Sequence, residues 1–432
     1  MSWHEPLGDR VITVEQAAAM VKDGARVAAG LPEPAPFLAA LAQQPDLAGV
    51  TVMSGVAAAG ALRCARAGMR VVTMFASPVT REAISAGEMD FVPLSFHAGA
   101  GFVERFAPTV AAVVVAAPQD DGTVRPGAAM GFDDAMVRAA RANGGIAIAV
   151  VVESQPQVPG DAYRVDDFDY FVALPTPEGA APAIHRDTSV HIERFASLLD
   201  EFIPDGATLQ AGVGGVPDES VGLLKHKRDL GVHTEVLGPG LSALIAAGVA
   251  NGSRKTLYPG LAVCTIVGPA ALEFADANPA VRMLNATECL DPRVVARNRA
   301  LRCVNSAVEV DLAGQVNAEM VQGVQFSGVG GQLDFFRACR LGEDSLSILV
   351  IESTAAGGRV SRIVPWIPER NVVTTSRYDV DVVITEHGVA WLRDRSTRER
   401  VQGLIEIADP AHRERLEEEA GRLGLLGRGA AG

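Results

Sequence analysis

Short apolar runs alternate with helix-like segments through the first half of this 432-residue chain, and this alternation is the strongest constraint on its fold. Four of the five runs are almost free of polar residues, as expected of strands buried on both faces. The segments between them, such as PFLAALAQQ, have helical periodicity. Strands that alternate with helices predict a largely parallel sheet covered by helices. The five runs are ARVAAG (25–30), GVTVMSG (49–55), MRVVTMFAS (69–77), AAVVVAAP (111–118) and IAIAVVVES (146–154).

A second α/β region follows a segment rich in proline and alanine, PTPEGAAPAIHR, at 175–186. It opens with the helical pattern SVHIERFASLLDEFI and continues through apolar runs at 346–353 and 380–388. A chain of this length is too long for one core of ordinary size. The sequence therefore predicts two α/β domains, residues 1–186 and 187–432.

Charge and cysteine content narrow the class of protein. The 38 basic and 52 acidic residues give a net charge of −14, which argues against a nucleic-acid partner but permits a local pocket for a small anion. Five cysteines without a C-x-x-C motif predict reduced thiols in a cytoplasmic protein, not a zinc site or disulfides. No apolar run is long enough to predict a membrane span, and MSWHEPLGDR lacks the features of a signal peptide.

Three glycine-rich loops in the second half are candidate anion sites. The first, QAGVGGVPDE, holds Val213 and Gly214 between a strand and a helix, with Pro217 in the first helical turn. The second, FSGVGGQLDFFR, carries Gly330 and Gly331, and the third is ESTAAGGRVSR. Free N–H groups at a helix N-terminus favour negative charge, although a tight turn explains each loop equally simply. The fingerprint G-x-G-x-x-G is not met, so a nicotinamide-dependent oxidoreductase is a remote alternative.

Two glutamates come at the ends of apolar strands. The alternation in VHTEV predicts a short strand with Glu235 at its end, and Glu386 in VVITEHG ends another strand and precedes a glycine turn. Because ligands bind beyond the carboxyl ends of parallel strands, the two carboxylates are candidates for one crevice. Solvated or ion-paired strand ends are the alternative. His233 and Glu235 lack further ligands at workable spacing, so no metal site is predicted.

These loops and strands resemble the family I CoA-transferases of the acetyl-CoA hydrolase/transferase type, which include 4-hydroxybutyrate and butyrate:acetate CoA-transferases. The similarity runs through residues 207–394 in AGVGGVPDESVGLLK, LGVHTEV, NSAVEVDLAGQVNAE, QFSGVGGQLDFFR, SRIVP and VDVVITEHGVAWLRD. The first half is similar mainly in pattern. The resemblance implies two α/β domains with largely parallel sheets and an active site between them.

The resemblance also implies roles for individual residues. Glu235 falls on the position of the catalytic nucleophile, and Glu386 falls on that of a second active-site glutamate. Backbone N–H groups at Val213 and Gly331, with their neighbours Gly214 and Gly330, are implied to bind the oxyanion and CoA. The implied reaction is a ping-pong transfer of CoA from an acyl-CoA to a small carboxylic acid through a glutamyl-CoA thioester. Coenzyme A is then a substrate, no tightly bound cofactor is needed, and a homodimer or homotetramer is expected.

Two departures from the family pattern concern the substrate. Relatives often have V-N-D-P where this chain has Cys289, Leu290, Asp291 and Pro292, and S-P-P-D-x-x-G becomes AAPQDDG at 116–122. Cys289 is expected to be a small buried residue and not a nucleophile. The acyl group and the acceptor are therefore open. So are two alternatives: an acyl-CoA hydrolase that uses the same glutamate, and a non-catalytic acyl-CoA binding protein.

Overall fold

The computed structural model describes residues 3–45, 47–175 and 189–426. The predicted domain boundary after residue 186 lies outside these residues. The chain divides into two compact units. The first is formed by residues 1–183 with two later segments, 263–290 and 325–330. The second is formed by 184–262, 291–324 and 331–432.

The helices are short, and several begin at a capping side chain. Thr13 and Gln16 form a capping box at the first helix, and Ser396 and Glu399 form another. In chain order the helices are α1 (Val14–Ala19), α2 (Ala35–Leu41), α3 (Ala59–Arg66), α4 (Arg81–Ser85), α5 (Gly99–Phe106), α6 (Asp133–Ala142), α7 (Ile192–Asp200), α8 (Gly215–Gly222), α9 (Pro239–Ala246), α10 (Leu272–Ala275), α11 (Ala286–Leu290), α12 (Pro292–Val295), α13 (Gln332–Leu341), α14 (Thr397–Glu406) and α15 (Pro410–Arg422).

The first unit contains an eight-stranded parallel sheet in the order β1-β8-β7-β6-β2-β3-β4-β5. All six residues of β6 are buried, because helices cover both faces of a parallel sheet. All five apolar runs of the sequence form strands of this sheet, as predicted. The strands are β1 (Val11–Ile12), β2 (Arg26–Ala29), β3 (Thr51–Ser54), β4 (Arg70–Thr73), β5 (Asp90–Phe91), β6 (Val110–Val115), β7 (Ile146–Val152) and β8 (Tyr170–Leu174).

The second unit contains a six-stranded sheet in the order β10-β9-β11-β12-β13-β14. Its strands are parallel except for the pair β13–β14. The prediction of two α/β domains with largely parallel sheets is confirmed. The strands are β9 (Thr208–Ala211), β10 (Gly231–Val232), β11 (Leu301–Asn305), β12 (Leu346–Val350), β13 (Val382–Thr385) and β14 (Gly388–Trp391).

Shorter elements complete both units. In the first, Thr123–Val124 pairs with Tyr163–Arg164; in the second, Glu309–Asp311 lies between Val316–Asn317 and Ile363–Val364, and Thr354–Ala355 pairs with Val360–Ser361. The other short strands are Val236–Leu237, Ala262–Cys264, Ile266–Val267, Val281–Met283, Met320–Val321 and Val324–Gln325, and the 3-10 turns are Glu5–Arg10, Phe96–Ala98, Val165–Asp167 and Pro269–Ala271. Among the described residues, no helix has the length and apolar character required to cross a bilayer.

Candidate active site

Glu235 lies in a bend, and the prediction that a strand reaches as far as Glu235 is wrong. Strand β10 ends at Val232, and the next strand begins only at Val236. The hydroxyl of Thr234 contacts the carbonyl oxygens of Ala211 and Val236, at 3.3 and 3.1 Å. A side-chain hydroxyl that bonds the backbone in this way competes with the regular hydrogen bonds of a strand. The carboxylate is therefore displayed from a turn beyond the carboxyl end of the sheet.

A buried lysine supports the strand that leads into this bend. Lys255 is 5% exposed, and its Nζ donates hydrogen bonds to the carbonyls of Val232 and Leu261, at 2.7 and 2.6 Å. An ammonium group that leaves water needs such acceptors. His233, also buried, lies with its Nδ1 3.2 Å from the amide nitrogen of Asn298. The backbone before Glu235 is thus fixed by side chains from two other segments of the second unit.

The structure brings together Glu235 and Gly331, two residues that the family resemblance assigns to one site. The N–H of Gly331 donates a 2.8 Å hydrogen bond to Oε2 of Glu235. Gly331 is the N-cap residue of α13, so the carboxylate faces the N-terminal end of a ten-residue helix. Within the described residues this is the one hydrogen bond that the Glu235 carboxylate accepts.

Burial raises the pKa of Glu235 to about 7. Loss of solvation is the largest cause, and the negative charge of buried Asp334 in the first turn of α13 acts in the same direction. The hydrogen bond from Gly331 opposes both effects. The site therefore holds a carboxylate that is poorly solvated near neutral pH, as a nucleophilic carboxylate requires.

Asp218 fixes the helix that follows Glu235. Its carboxylate accepts hydrogen bonds from the N–H groups of Gly240 and Leu241, at 2.7 and 3.3 Å, in the first turn of α9. Loss of solvation raises the pKa of Asp218, and the two backbone hydrogen bonds lower it. Because α9 begins four residues after Glu235, this contact restrains the bend from its C-terminal side.

Replacement of Asp218 by alanine is expected to destabilise the protein by about 2 kcal/mol, since two N–H groups of α9 would lose their acceptor. Asp218→Asn keeps one acceptor oxygen and is expected to lose about half as much. Thermal unfolding of both variants measures the effect. Equal stability of Asp218→Ala and the wild-type protein would show that water replaces the carboxylate without cost.

The first glycine loop has the predicted position between β9 and α8. Gly214 has φ +136°, which strains any residue with a Cβ, and Val213 is 64% exposed. At Gly212, a Cβ would lie 2.6 Å from Oδ1 of Asn305 on the neighbouring strand. No hydrogen bond from Val213 or Gly214 to Glu235 occurs among the residues described, so their role in oxyanion binding stays a prediction.

The other two glycine loops differ from each other in structure. Gly330 has φ +56° and belongs to the segment that packs on the first unit, where its carbonyl accepts a hydrogen bond from the N–H of Phe96. The loop at 352–362 is a β-hairpin whose turn contains Gly357 and Gly358, both with positive φ. The hairpin turn accounts for the glycines of the third loop, as the simpler sequence interpretation had it.

Glu386 follows strand β13 directly, as predicted. Its two oxygens accept hydrogen bonds from the backbone N–H and the hydroxyl of Ser353, at 2.9 and 2.6 Å. The strands that precede Glu235 and Glu386, β10 and β13, end at the same edge of the sheet, four strand spacings or about 19 Å apart. The two carboxylates therefore lie at the same edge of the sheet. Glu235 is hydrogen-bonded to Gly331 and Glu386 to Ser353.

The described residues contain no group of three or more His, Cys, Asp and Glu side chains that fits a metal ion. All five cysteines are free and buried, including Cys289 in α11. Burial raises the pKa of Cys64 and of Cys264 to about 12, which makes these thiols poor nucleophiles at neutral pH. Cys289 is buried, as predicted.

Sequence reasoning did not single out Asp218, Lys255 or Asp334. Asp218 lies inside the glycine motif QAGVGGVPDE. The local pattern does not show whether its carboxylate is solvated or caps a helix elsewhere in the chain. Lys255 lies in GSRKTLYPG, which reads as an exposed loop. Their roles depend on contacts 22 or 23 residues away, at Gly240 and Val232.

Comparisons with known proteins show extensive similarity. A model of the acetyl-CoA hydrolase/transferase C-terminal domain matches residues 269–420. The 4-hydroxybutyrate coenzyme A transferase of Clostridium kluyveri is 35% identical over 97% of this chain and 99% of its own. The crystal structure of RipA from Yersinia pestis superposes with a TM-score of 0.89 and 30% identity over 98% of this chain and 100% of that one. The 4-hydroxybutyrate CoA-transferase structure from Porphyromonas gingivalis gives 0.79 and 27% over the same shares.

Proposed function

We propose a covalent route for CoA transfer by this chain, which belongs to the acetyl-CoA hydrolase/transferase family and is an acyl-CoA:carboxylate CoA-transferase. In this route Glu235 is the nucleophile and carries CoA between the two acids. The single observation that carries the assignment is the pairing of a poorly solvated Glu235 carboxylate with the N–H of Gly331.

The first half of the reaction releases the first carboxylic acid. The Glu235 carboxylate attacks the thioester carbonyl of the acyl-CoA, the C–S bond breaks, and an acyl-glutamyl anhydride and CoA thiolate form. The thiolate then attacks the glutamyl carbonyl of the anhydride. The carboxylate of the first acid leaves, and Glu235 becomes a glutamyl-CoA thioester.

The second half uses the same bonds in reverse. A carboxylate acceptor attacks the glutamyl thioester, CoA thiolate leaves, and a new mixed anhydride forms. The thiolate attacks the acceptor carbonyl of that anhydride, which yields the new acyl-CoA and restores the Glu235 carboxylate. Atoms and charge balance with no other reactant, and the kinetics are ping-pong.

Gly331 has a defined part in this route. Its N–H contacts an oxygen of Glu235 itself. When thiolate or carboxylate attacks the glutamyl carbonyl, negative charge develops on that oxygen, and a fixed N–H donor stabilises it by about 3 kcal/mol. The α13 N-terminus adds a favourable dipole at the same atom. For the oxyanion formed on the acyl-CoA carbonyl, the proposed donors are the N–H groups of Val213 and Gly214, with Gly330 next to Gly331 in the second loop.

Glu386 is proposed as a second acidic residue of the active site. It lies at the carboxyl edge of the same sheet and is held by Ser353 at both oxygens. A side chain fixed in this way suits contact with a substrate group. Glu386→Gln is expected to lower kcat less than changes at Glu235, because Glu386 forms no covalent bond in the route.

The decisive experiment traps the covalent intermediate. The protein is incubated with a panel of short acyl-CoA esters without acceptor, treated with borohydride and mapped by peptide mass. Reduction of a glutamyl-CoA thioester to an alcohol removes about 14 mass units from one side chain. We expect this loss at Glu235 in the wild-type protein and in Glu386→Gln.

The control and the competing activities use the same samples. Glu235→Ala must show no loss of mass at this peptide. CoA release that needs no carboxylate acceptor identifies a hydrolase that uses the same glutamate. Binding of CoA esters without modification of Glu235 by any member of the panel excludes the covalent route.

The pH dependence of the first half-reaction tests the state of Glu235. Attack requires the ionised carboxylate, so kcat/KM is expected to rise with pH and to level off above the pKa of about 7. One pH unit below this pKa the rate is about tenfold below its plateau. Stopped-flow or steady-state assays between pH 5.5 and 8.5 measure the profile. A profile that is already flat at pH 5.5 contradicts the raised pKa of Glu235.

The assembly of the protein remains a prediction. A homodimer or homotetramer is proposed, and sedimentation equilibrium measures it.

A further inference from the structure

Four arginines gather at the amino-terminal edge of the sheet in the second unit. Arg340 is in the last turn of α13, and Arg393 follows β14. Arg377 lies in the turn before β13, and Arg400 is on α14. We call these four residues the arginine cluster. It lies in a protein whose net charge is −14, so this local excess of positive charge opposes the overall sign.

One buried carboxylate serves two of the four guanidinium groups. Asp381 is fully buried. Arg393 binds both of its oxygens, Nε to Oδ1 at 2.8 Å and Nη2 to Oδ2 at 2.5 Å. Nη1 of Arg340 approaches the same Oδ1 at 3.3 Å. Arg340 and Arg393 thus share the single negative charge of Asp381, and the three groups together keep a net charge of +1.

The other two arginines contact neutral groups. Nη1 of Arg400 donates to the carbonyl of Arg377 at 2.7 Å, and Nε donates to the carbonyl of Arg395 at 3.3 Å. Nη2 of Arg377 donates to the hydroxyl of Tyr378 at 3.3 Å. Among the described residues neither of them forms an ion pair, and the nearby carboxylate of Asp379 accepts from Ser376. Most of their N–H donors thus face no acceptor in the part of the chain that the structure describes.

The pKa shifts of Arg400 and Tyr378 are consistent with a positive potential at the arginine cluster. The pKa of Arg400 is lowered first by burial and then by the charges of Arg377 and Arg340, which outrank the opposing effects of Asp381 and Tyr378. The pKa of Tyr378 is lowered by the hydrogen bond and the charge of Arg377, with a smaller effect of Arg400. Tyr378 is 68% exposed, so the positive potential extends to the solvent-facing surface.

We propose that the arginine cluster, through Arg340, Arg377 and Arg400, is a binding site for a ligand that carries phosphate groups. Guanidinium groups match phosphate oxygens in geometry and charge, and a bound phosphate supplies the negative charge that the cluster lacks. The exposed ring of Tyr378 offers a face for an attached base.

This site is separate from the proposed transfer reaction. Asp381 precedes β13, whereas Glu386 follows it, so the cluster and the carboxylates lie at opposite edges of one sheet. Strand β12, which spans five residues between these edges, is about 17 Å long. Occupation of the cluster therefore goes beyond the CoA chemistry proposed above, and it can be measured as binding, independently of that chemistry.

The test is isothermal titration calorimetry of the full chain with pyrophosphate and with adenosine diphosphate in chloride buffer. No CoA is present, because CoA itself carries phosphate groups and an adenine base and would compete with both probes at the cluster. Saturable binding that weakens with salt is expected for both probes. Equal affinities indicate that phosphate groups alone are recognised, and tighter binding of adenosine diphosphate indicates a further contact with the base.

Variants assign the binding to the cluster. Arg377→Gln is expected to weaken binding by about tenfold, and the double variant Arg377→Gln/Arg400→Gln is expected to weaken it further. Arg415→Gln, on the exposed side of α15, is the matched control and should bind like the wild-type protein. No saturable binding of either probe overturns the proposal, as does binding that survives Arg377→Gln unchanged. Activity with acyl-CoA does not enter this readout.

Discussion

Replacement of Glu235 by glutamine is expected to abolish CoA transfer, with a loss in kcat of about 10⁴-fold or more, while the protein remains folded. The amide cannot form the anhydride or the thioester, and no other described carboxylate accepts a hydrogen bond from Gly331. The change keeps the size of the side chain and an oxygen for that hydrogen bond. Steady-state assays with each acyl-CoA of the panel measure the loss.

The same variant, Glu235→Gln, is also expected to change how the stability of the protein depends on pH. The pKa of Glu235 rises from 4.5 to about 7 on folding, so stability from the neutral carboxyl is fully present below pH 4.5 and is lost as pH rises through 7. Glutamine does not ionise. The free energy of unfolding of Glu235→Gln minus that of the wild-type protein is therefore expected to be about 3 kcal/mol larger at pH 8.5 than at pH 4.5.

Thermal unfolding of both proteins across this pH range separates the roles of Glu235. If Glu235→Gln loses activity but its stability relative to the wild-type protein does not change with pH, Glu235 of the wild-type protein is ionised and well solvated, which contradicts the burial described here. A variant that retains transfer activity excludes Glu235 as the nucleophile.

Replacement of Gly240 by alanine is expected to destabilise the protein by about 3 kcal/mol and to lower the rate of transfer. A Cβ at this position would lie 2.0 Å from the carbonyl oxygen of Asp218 and 3.0 Å from its Oδ2. Helix α8 is also close to α9 at a second point, since a Cβ at Gly222 would lie 2.8 Å from the Cα of Gly240. Helices α8 and α9 must then separate, which moves the Asp218 carboxylate away from the N-terminus that it caps.

The matched control is Gly421→Ala on α15, where a Cβ meets no atom within 4 Å. Because alanine favours a helix over glycine by about 1 kcal/mol, this control is expected to be as stable as the wild-type protein or slightly more so. Thermal unfolding and a CoA-transfer assay of both variants decide the outcome. If Gly240→Ala unfolds at the wild-type temperature, α8 and α9 adjust without cost, and the close packing has no part in holding the bend.

Local patterns in the sequence were sufficient to predict the main strands and the α/β class of both units. The apolar runs of the first half, such as 111–118, are strands of a parallel sheet whose burial on both faces favours uninterrupted valine and alanine. The glycine loops before α8 and α13 were also predictable, since glycine followed by a helical pattern marks a strand-to-helix turn. The family resemblance identified Glu235 and Gly331 as one site, and the hydrogen bond between them agrees with that expectation.

The same reasoning failed where a side chain overrides a local pattern. The alternation VHTEV predicts a strand, yet the hydroxyl of Thr234 bonds to carbonyls on two segments and bends the chain at Glu235. Periodicity describes which face a residue occupies; it carries no information on a hydrogen bond to Ala211, 23 residues away. The chain also returns to the first unit at 263–290 and 325–330, and no local pattern in the sequence predicts this.

The sequence by itself determined the two α/β domains, because strand composition and glycine turns are local properties, and its resemblance to a CoA-transferase family identified Glu235 as the candidate nucleophile. Only the tertiary structure decided the environment of that glutamate. Its pKa of about 7 depends on burial and on Asp334, its orientation on Thr234 and Lys255, and its partner on the N-terminus of α13. Solvation and charge are sums over neighbours in space, and those neighbours are distant in the sequence.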